Sequence, residues 1–440
     1  MNHLLAHARV VVVCLVAVLL ALPASIHAYA VLSHEAIIDA AWETHIKPLL
    51  QKKFPQATEE DLSRAQAYAY GGAIIQDMGY YPYGSPFFSD LTHYVRSGDF
   101  IQALLHDAKD IVEYAFALGA LSHYAADNDG HRIGTNRAVP ILYPRLRKKY
   151  GDTVTYEDNQ LAHVKTEFGF DVLEIAQERY APDSYHDFIG FEVSRTVLDQ
   201  AFRETYGLEL KSVLLDEEKT LNSYRHDVSK LIPKATRIAW SLKQDEIKSD
   251  IPDATRRKFL YNLSRSNYER EWGKDYHKPN PAEQFLAFLY KLIPKFGPLK
   301  ILQFRTPTPQ TEQMFEASFN ATLDRYRKLL TELRDGRLEL PNDNFDLGEH
   351  TGPGKYRLND EAHAKLLDNL AGDNFASATP EIKEEILHFF ADPGAPYATK
   401  RDAKAWTKVQ AELQQLKSAA ATPASANSSE RMMPKAQTTP

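Results

Sequence analysis

The sequence predicts an all-α fold, and three observations support that prediction. Apolar residues recur every three or four positions in HEAIIDAAWETHIKPLL, FIQALLHDAKDIVEYAFALGALSHYAAD and HVKTEFGFDVLEIAQERY, which is the period of a helix with one buried face. The alternation of Val, Ile and Thr that is typical of strands is scarce. The connections MGYYPYGSPFFSD and GTNRAVPILYP are rich in Pro, Gly and Ser, as loops are. We therefore expect a multi-helix protein.

Residues 1–28 are predicted to be a secretory signal peptide. Arg9 precedes an apolar run over residues 10–22, and small residues follow it, so we expect cleavage after Ala28. A transmembrane anchor is the alternative, but the run is short for the ~20 residues that span a bilayer. Cys14 is the only cysteine and lies inside this segment. The mature chain is therefore expected to be secreted or periplasmic and to have no disulfides.

The rest of the chain is predicted to have three parts. Residues 29–300 are expected to form a helical domain, in which Thr58/Asp61 and Ser184/Asp187 resemble the capping pairs of helix starts. After the Pro-rich stretch FGPLKILQFRTPTPQ, residues 301–417 contain further helical segments separated by the polar run PNDNFDLGEHTGPGKYRLND, and we expect a C-terminal helical extension. Residues 418–440 are rich in Ala, Ser, Thr, Pro and Gln, so this tail is expected to be disordered.

The charge of the chain argues against a dedicated nucleic-acid binder. The formal net charge is −7, and the sequence has no block of five or more basic residues. Proteins that bind nucleic acid stably present basic patches. No stable nucleic-acid partner is predicted, although an enzyme that acts on nucleotides is not excluded.

The segment LSHYAADNDGH carries the strongest chemical signal. His123, Asp127 and His131 are spaced four residues apart, so a helix would project them from nearly the same face. Neutral imidazole and carboxylate oxygen are ligands that suit zinc. A polar, ionisable stripe that follows the apolar run AFALGAL is therefore interpreted as part of a metal site.

Five further candidate ligands precede residue 170. These are His34, Asp77, His93, His163 and Glu167. A single His beside apolar residues is more often a buried structural side chain, and a His/Glu pair at helical spacing is most often an exposed face. The hypothesis of a metal site therefore depends on the whole set. A mature chain without cysteine must bind metal through His, Asp, Glu or backbone groups.

The order of these residues resembles the zinc-dependent phospholipase C family, whose plan the S1/P1-type nucleases share. The resemblance covers roughly residues 29–200 and implies an all-α, exported phosphoesterase with about three zinc ions. It implies one zinc at Asp77, His93, His123 and Asp127, and a second at His131, His163 and Glu167. It implies a third at His34, Asp127 and the α-amino and carbonyl groups of Tyr29, the first residue after cleavage. The relatives usually have Trp at that position.

The sequence departs from the family at His131. Relatives usually place the second His of the central helix six residues after the Asp, whereas here it follows after four. Gly130 can end the helix and let His131 swing across, or Asp129 can replace it as a ligand. Asp129 as a turn former at the helix end is the structural alternative.

The resemblance implies phospholipase C-type cleavage of a phospholipid headgroup by zinc-activated water, with Asp77 also steering the water proton. The alternatives are an S1/P1-type nuclease or nucleotidase and a non-catalytic zinc-binding scaffold. Aromatic side chains crowd the loop after Asp77, namely Tyr80, Tyr81, Tyr83, Phe87 and Phe88. They can bind a quaternary ammonium headgroup, stack on a base, contact a membrane surface transiently, or only pack the loop. His186, Asp187 and the loop at His350 are lesser candidates that we expect to be structural, with a role as accessory groups that contact the metal ligands as the alternative.

Overall fold

The computed structural model describes residues 31–177, 179–180, 190–232 and 303–419, together with residues 235, 236, 238, 239, 243 and 301. Within this part the chain is helical and has no strand, only an isolated antiparallel bridge between Asn344 and Glu349, so the all-α prediction is confirmed. No helix of this part is long and apolar enough to cross a membrane. Several predictions lie outside the described residues: the signal peptide, Tyr29, the Ser184/Asp187 cap with His186, and most of the C-terminal tail.

The described helices are named in chain order. Those before residue 232 are α1 Val31–Ala41, α2 Lys47–Lys53, α3 Glu59–Gly72, α4 Pro86–Tyr94, α5 Ser97–Asp107, α6 Ile111–Asp129, α7 Asn136–Leu142, α8 Pro144–Tyr150, α9 Gln160–Ala176, α10 Arg195–Tyr206, α11 Leu210–Val213 and α12 Glu217–His226. Those after residue 303 are α13 Pro309–Arg334, α14 Arg357–Ala371, α15 Pro380–Phe389 and α16 Ala403–Ser418. Wider π turns follow α1, α6 and α12, at Trp42–Ile46, Gly130–Thr135 and Asp227–Leu231. Short 3₁₀ helices lie at Ile75–Tyr80 and Ala398–Arg401.

Polar side chains set the starts of two helices near the site. The predicted pair at α3 is confirmed as a capping box, in which Thr58 Oγ1 accepts from the Asp61 amide (3.1 Å) and Asp61 Oδ2 accepts from the Thr58 amide (2.9 Å). At α6, Asp110 accepts from the backbone amides of Val112 and Glu113. This cap divides the apolar pattern of residues 100–127 into α5 and α6, because it fixes a new helix start within the pattern.

Two glycines let α3 and α6 cross closely. A Cβ atom at Gly72 would lie 2.0 Å from the carbonyl oxygen of Phe116, and one at Gly119 would lie 2.1 Å from that of Ala69. Any larger residue would force the helices apart. The close approach also lets Gln76 Nε2 donate to the carbonyl of Ala120 (3.0 Å). The end of α3 and the segment after it are thereby fixed against α6, the helix that carries His123 and Asp127.

The C-terminal helix α13 packs directly on the N-terminal part of the chain. Tyr326 on α13 donates from its hydroxyl to the carbonyl of Leu118 on α6 (2.9 Å). The buried side chain of Arg179 lies between Glu174 at the end of α9 (3.1 Å) and Glu316 on α13 (3.2 Å). Buried apolar residues from both parts belong to one core cluster. The extension predicted for residues 301–417 therefore shares a core with the N-terminal helices, while its boundary near residue 300 lies outside the described residues.

Candidate metal centre

The eight described candidate ligands come from six elements and meet at one place. They are His34 on α1, Asp77 on the 3₁₀ helix, His93 on α4, His123 and Asp127 on α6, His131 on the π turn, and His163 and Glu167 on α9. All are buried. Three groups of them could hold a metal ion, with ligand atoms within 4.8 Å of one another: His34/His123/Asp127, Asp77/His93/His123 and His131/His163/Glu167.

Asp127 lies at the centre of the cluster. Its Oδ2 is 3.2 Å from His123 Nε2 and 3.3 Å from His93 Nε2, while its Oδ1 is 3.5 Å from His34 Nε2. His131 Nε2 lies 3.9 Å from Oδ2. A single carboxylate therefore faces four imidazoles. Burial alone would raise the pKa of Asp127, but the charges of His123 and His131 outweigh it and hold the pKa well below its usual value.

Two imidazoles present their Nε2 atoms to each other. His93 Nε2 and His123 Nε2 are 3.3 Å apart, and Asp77 Oδ1 is 3.4 Å from His93 Nε2. His93 Nδ1 lies 2.7 Å from the carbonyl of Ser89, and His123 Nδ1 lies 2.9 Å from that of Ala73. A carbonyl can only accept, so both Nδ1 atoms donate and both Nε2 atoms point into the cluster. A bound metal ion would replace the Nε2 proton of His93 as the partner of these two nitrogens.

The second group lies between α6 and α9. His163 Nε2 is 2.8 Å from Glu167 Oε1, and His131 Nε2 is 3.2 Å from the same oxygen. The helix does not end at Gly130, which was one possibility from the sequence, but continues as a π turn over Gly130–Thr135. The wider turn changes the direction in which His131 projects, and π turns of this kind are frequent at functional sites.

Asp129 takes no part in the cluster. Its Oδ1 lies 2.8 Å from Arg132 Nη2 and 3.7 Å from Arg325 Nη1. His131 therefore lies in the second group. Asp129 instead pairs with two arginines at the end of α6.

The donor set fits zinc. Both carboxylate oxygens of Asp77, Asp127 and Glu167 are buried and accept no hydrogen bond of ordinary geometry within the described part of the chain. Buried acceptors of this kind are costly unless a partner satisfies them. Burial raises the pKa of Asp77, whereas the pKa of His93, which burial alone would lower, is raised to about 10 by the carboxylates of Asp127 and Asp77. Imidazole nitrogen and carboxylate oxygen, without thiolate, form an accepted zinc ligand set.

The start of α1 is fastened beside this cluster. Asp171 on α9 is buried and accepts from the Leu32 amide through Oδ2 (3.0 Å) and from the Ser33 hydroxyl through Oδ1 (2.9 Å). The ring of His34 stacks on that of His123, with centroids 4.5 Å apart. The chain just after the predicted cleavage site is thus held against the cluster, although Tyr29 itself lies outside the described residues.

The structure adds a site residue that the sequence did not reveal. Asp346 Oδ1 lies 3.4 Å from His131 Nδ1. Burial alone would raise the pKa of Asp346, but the contact with His131 and the charge of His163 outweigh it and lower the pKa to about 2. Asp346 stands in the polar run between α13 and α14, whose loop at His350 was a lesser candidate, but Asp346 itself was not named from the sequence. An Asp in such a run carries no spacing signal that connects it to a His more than two hundred residues earlier.

Of the other candidates, those in the described part of the chain supply no ligand atom to the cluster. Of the loop aromatics, Tyr81, Phe87 and Phe88 are buried in the core cluster, which favours the packing interpretation for them. Tyr80 is buried beside His93, and Tyr83 is 52% exposed. His350 is exposed and its Nδ1 lies 3.3 Å from the carbonyl of Asn342, away from the cluster. His186 and Asp187 lie outside the described residues.

One comparison with known proteins identifies the domain. No curated protein and no solved structure matches the chain significantly. Residues 33–215, however, match the family model described as zinc dependent phospholipase C. This segment includes the eight ligands from His34 to Glu167 and ends before α13, α14 and Asp346. Residues 33–215 are therefore a domain of the zinc-dependent phospholipase C family, and the chain is a zinc-dependent phosphodiester hydrolase.

Proposed function

We propose that this protein is an exported phospholipase C that cleaves the phosphodiester bond between the glycerol and the headgroup phosphate of a phospholipid. The observation that carries this proposal is the convergence of four imidazoles on the buried carboxylate of Asp127, inside the segment that matches the family. Such a cluster of nitrogen and oxygen donors supports metal-assisted hydrolysis.

We assign the ligands as the resemblance implies. Asp77, His93, His123 and Asp127 would hold one zinc, and His131, His163 and Glu167 would hold the second. His34, Asp127 and the α-amino and carbonyl groups of Tyr29 would hold the third, so removal of the signal peptide would be part of site assembly. The fastening of Leu32 and Ser33 by Asp171 supports this arrangement, because it fixes the chain three residues after Tyr29.

Bound zinc would supply Lewis acidity, which lowers the pKa of water to about 7 and stabilises charge on phosphoryl oxygens. The chain's own groups would orient the attacking water and keep bulk water out of the site. Asp77 would steer the proton of the attacking water, and the oxygen of that water would add to phosphorus. The bond from phosphorus to the glycerol oxygen then breaks, and that oxygen takes up a proton. Burial of the cluster keeps bulk water out, which strengthens every charge interaction within it.

Two aromatic rings beside the metal ligands bear on the substrate class. Tyr80 lies beside His93 and Tyr156 beside His163, with ring centroids 6.3 and 5.5 Å apart. Aromatic faces next to the metal cluster suit a quaternary ammonium headgroup, but they equally suit a nucleobase. The second candidate function is therefore an S1/P1-type nuclease or nucleotidase.

A paired assay tests the proposal. The processed, zinc-loaded protein is given phosphatidylcholine vesicles in one arm and single-stranded DNA in the other, and released phosphocholine and nucleotides are measured. We expect headgroup release that a chelator abolishes. Cleavage of DNA without headgroup release would favour the nuclease, and zinc-loaded protein that is inert in both arms would contradict both substrate classes.

An exposed apolar pair supports contact with a lipid surface. Leu215 is 82% exposed and Tyr83 is 52% exposed, and the Leu215 amide donates to the Tyr83 carbonyl (3.1 Å). Tyr83 follows the 3₁₀ helix that carries Asp77. Insertion of two such side chains into a membrane surface is worth about 2 kcal/mol or more.

Replacing this pair by Tyr83→Asn and Leu215→Ser is expected to raise the KM for vesicles roughly tenfold. The KM for a short-chain soluble phospholipid should not change, because the cluster is untouched. Asn suits position 83 because the backbone φ there is 65°. Leu161→Ser is the matched control, since Leu161 is also exposed (45%) but lies in the first turn of α9. An equal effect of the control, or a pair variant with unchanged vesicle kinetics, would rule out this contact surface.

A further inference from the structure

A loop from outside the family match lies on the metal centre. This strap, residues 340–351 between α13 and α14, places Phe345 against the cluster. The Phe345 amide donates to the carbonyl of His93 (3.2 Å), and its ring meets the ring of His93 edge-on with centroids 5.3 Å apart. The site described above is therefore closed on one side by residues that the matched segment, 33–215, does not contain.

The strap is tied to the two helices, α6 and α7, that flank the π turn carrying His131. Asn136 Nδ2 donates to the carbonyl oxygen of Asp346 (2.7 Å). Gly348 has a φ of 68° and approaches so closely that a Cβ atom there would lie 2.3 Å from the carbonyl oxygen of Asn128. Within the strap, Asn344 Oδ1 accepts from the amides of Asp346 (3.0 Å) and Leu347 (3.2 Å), which fixes a tight turn. The side chain at position 346 is thus held in register with α6.

The carboxylate of Asp346 is held from both sides. Its Oδ2 accepts from the Tyr156 amide (2.9 Å) and from the Tyr356 hydroxyl (2.8 Å). Its Oδ1 is left facing His131 Nδ1 at 3.4 Å, while the other ring nitrogen, Nε2, faces Glu167 Oε1 at 3.2 Å. The two nitrogens of His131 therefore meet two different carboxylates, one within the metal-ligand group and one behind it.

We propose that Asp346 is a positioning residue that holds His131 in the tautomer needed to bind the second zinc. An ionised carboxylate only accepts, so His131 carries its proton on Nδ1 and directs the Nε2 lone pair towards Glu167 and His163. Carboxylates that accept from a ligating His in this way orient the ring and raise its basicity as a ligand. The C-terminal extension thereby completes a centre whose ligands all come from the N-terminal domain. This inference rests on the proposed zinc assignment but not on the proposed substrate.

The substitution Asp346→Asn tests the tautomer directly. The amide oxygen is expected to accept from the two donors that now meet Oδ2, which turns the NH₂ group towards His131 Nδ1. An NH₂ donor requires an unprotonated Nδ1, and His131 then carries its proton on Nε2, where it cannot bind metal. We expect the affinity of one zinc site to fall roughly 10- to 100-fold, with the other sites retained.

The measurement is a zinc and cobalt titration of the processed, metal-depleted protein, which needs no substrate. Cobalt absorption in the visible range reports the ligand set, so loss of His131 should change the spectrum of one site. The matched control is Asp343→Asn, in the same strap, because Asp343 Oδ2 faces the Tyr124 hydroxyl (3.3 Å) and no candidate ligand. This control should bind metal like the parent protein.

A second variant covers the case in which Asp346→Asn does not fold, as judged by circular dichroism. Tyr356→Phe removes one of the two donors to Oδ2 but keeps the carboxylate, and we expect a loss of a few-fold at the same zinc site. The inference is overturned if Asp346→Asn folds and titrates like the parent protein, or if Asp343→Asn loses the same site. It is also overturned if Asp346→Asn fails to fold and Tyr356→Phe binds metal unchanged. Failure of headgroup release with normal titrations would instead count against the proposed substrate alone.

Discussion

Replacing Asp127 by asparagine is expected to lower phosphodiester hydrolysis by about 10³-fold or more and to reduce bound zinc by at least one ion per chain. The reason is the position of the Asp127 carboxylate, whose two oxygens face His34 on one side and His93 and His123 on the other. An amide removes the negative charge and offers only one oxygen acceptor to this group. Metal analysis and kcat/KM on the same preparation check the prediction.

Asp129→Asn is the matched control for this experiment. Asp129 is also a buried carboxylate at the end of α6, but its contacts are with Arg132 and Arg325. We expect parental zinc content and a rate close to that of the parent protein. An Asp127→Asn protein with full zinc content and full activity would contradict the assignment of Asp127 as the shared ligand.

Removal of zinc by a chelator is expected to lower the thermal midpoint of the processed protein by roughly 10 °C or more. A ligand present at about 1,000 times its Kd contributes about 4 kcal/mol for each site, and several sites are proposed. Without a cation, the buried carboxylates of Asp77, Asp127 and Glu167 face imidazoles in poor hydrogen-bond geometry. Calorimetry before chelation, after chelation and after zinc is restored measures the change.

Magnesium serves as the control in the same calorimetric scans. Magnesium added to the chelated protein should restore little, because Mg²⁺ prefers an octahedral shell of oxygens and this cluster is rich in imidazole. If the thermal midpoint does not move although metal analysis shows complete removal of zinc, protons alone neutralise the buried carboxylates of the cluster. The prediction that zinc stabilises the fold would then be wrong.

Local spacing explains why much of the site could be predicted from the sequence. His123/Asp127 and His163/Glu167 are pairs four residues apart on single helices, and the structure brings both into the cluster. A helix fixes such neighbours whatever the rest of the fold does. His34, Asp77 and His93 were weak candidates taken singly, and only the resemblance to a family connected them to the centre, because nothing local does so. The all-α class followed equally well from periodicity.

Features that depend on distant packing were not predicted. The π turn at Gly130–Thr135 resolves the unusual spacing of His131, but a helical pattern does not distinguish it from an α turn or a helix end. The strap reaches the site through contacts between residues as far apart as Tyr156 and Asp346. Helix α14, Arg357–Ala371, was also not predicted, since its first turn lies within the polar, glycine-bearing run.

The most direct test of the account is the zinc content of correctly processed protein, measured by mass spectrometry of the metal beside that of the intact chain. Protein that begins at Tyr29 is expected to hold about three zinc ions per chain. The same protein with extra residues before Tyr29 should hold about two, because the α-amino group that binds the third would no longer lie at position 29. Processed protein that binds one zinc or none, after dialysis against zinc and removal of the excess, would contradict the proposed catalytic centre.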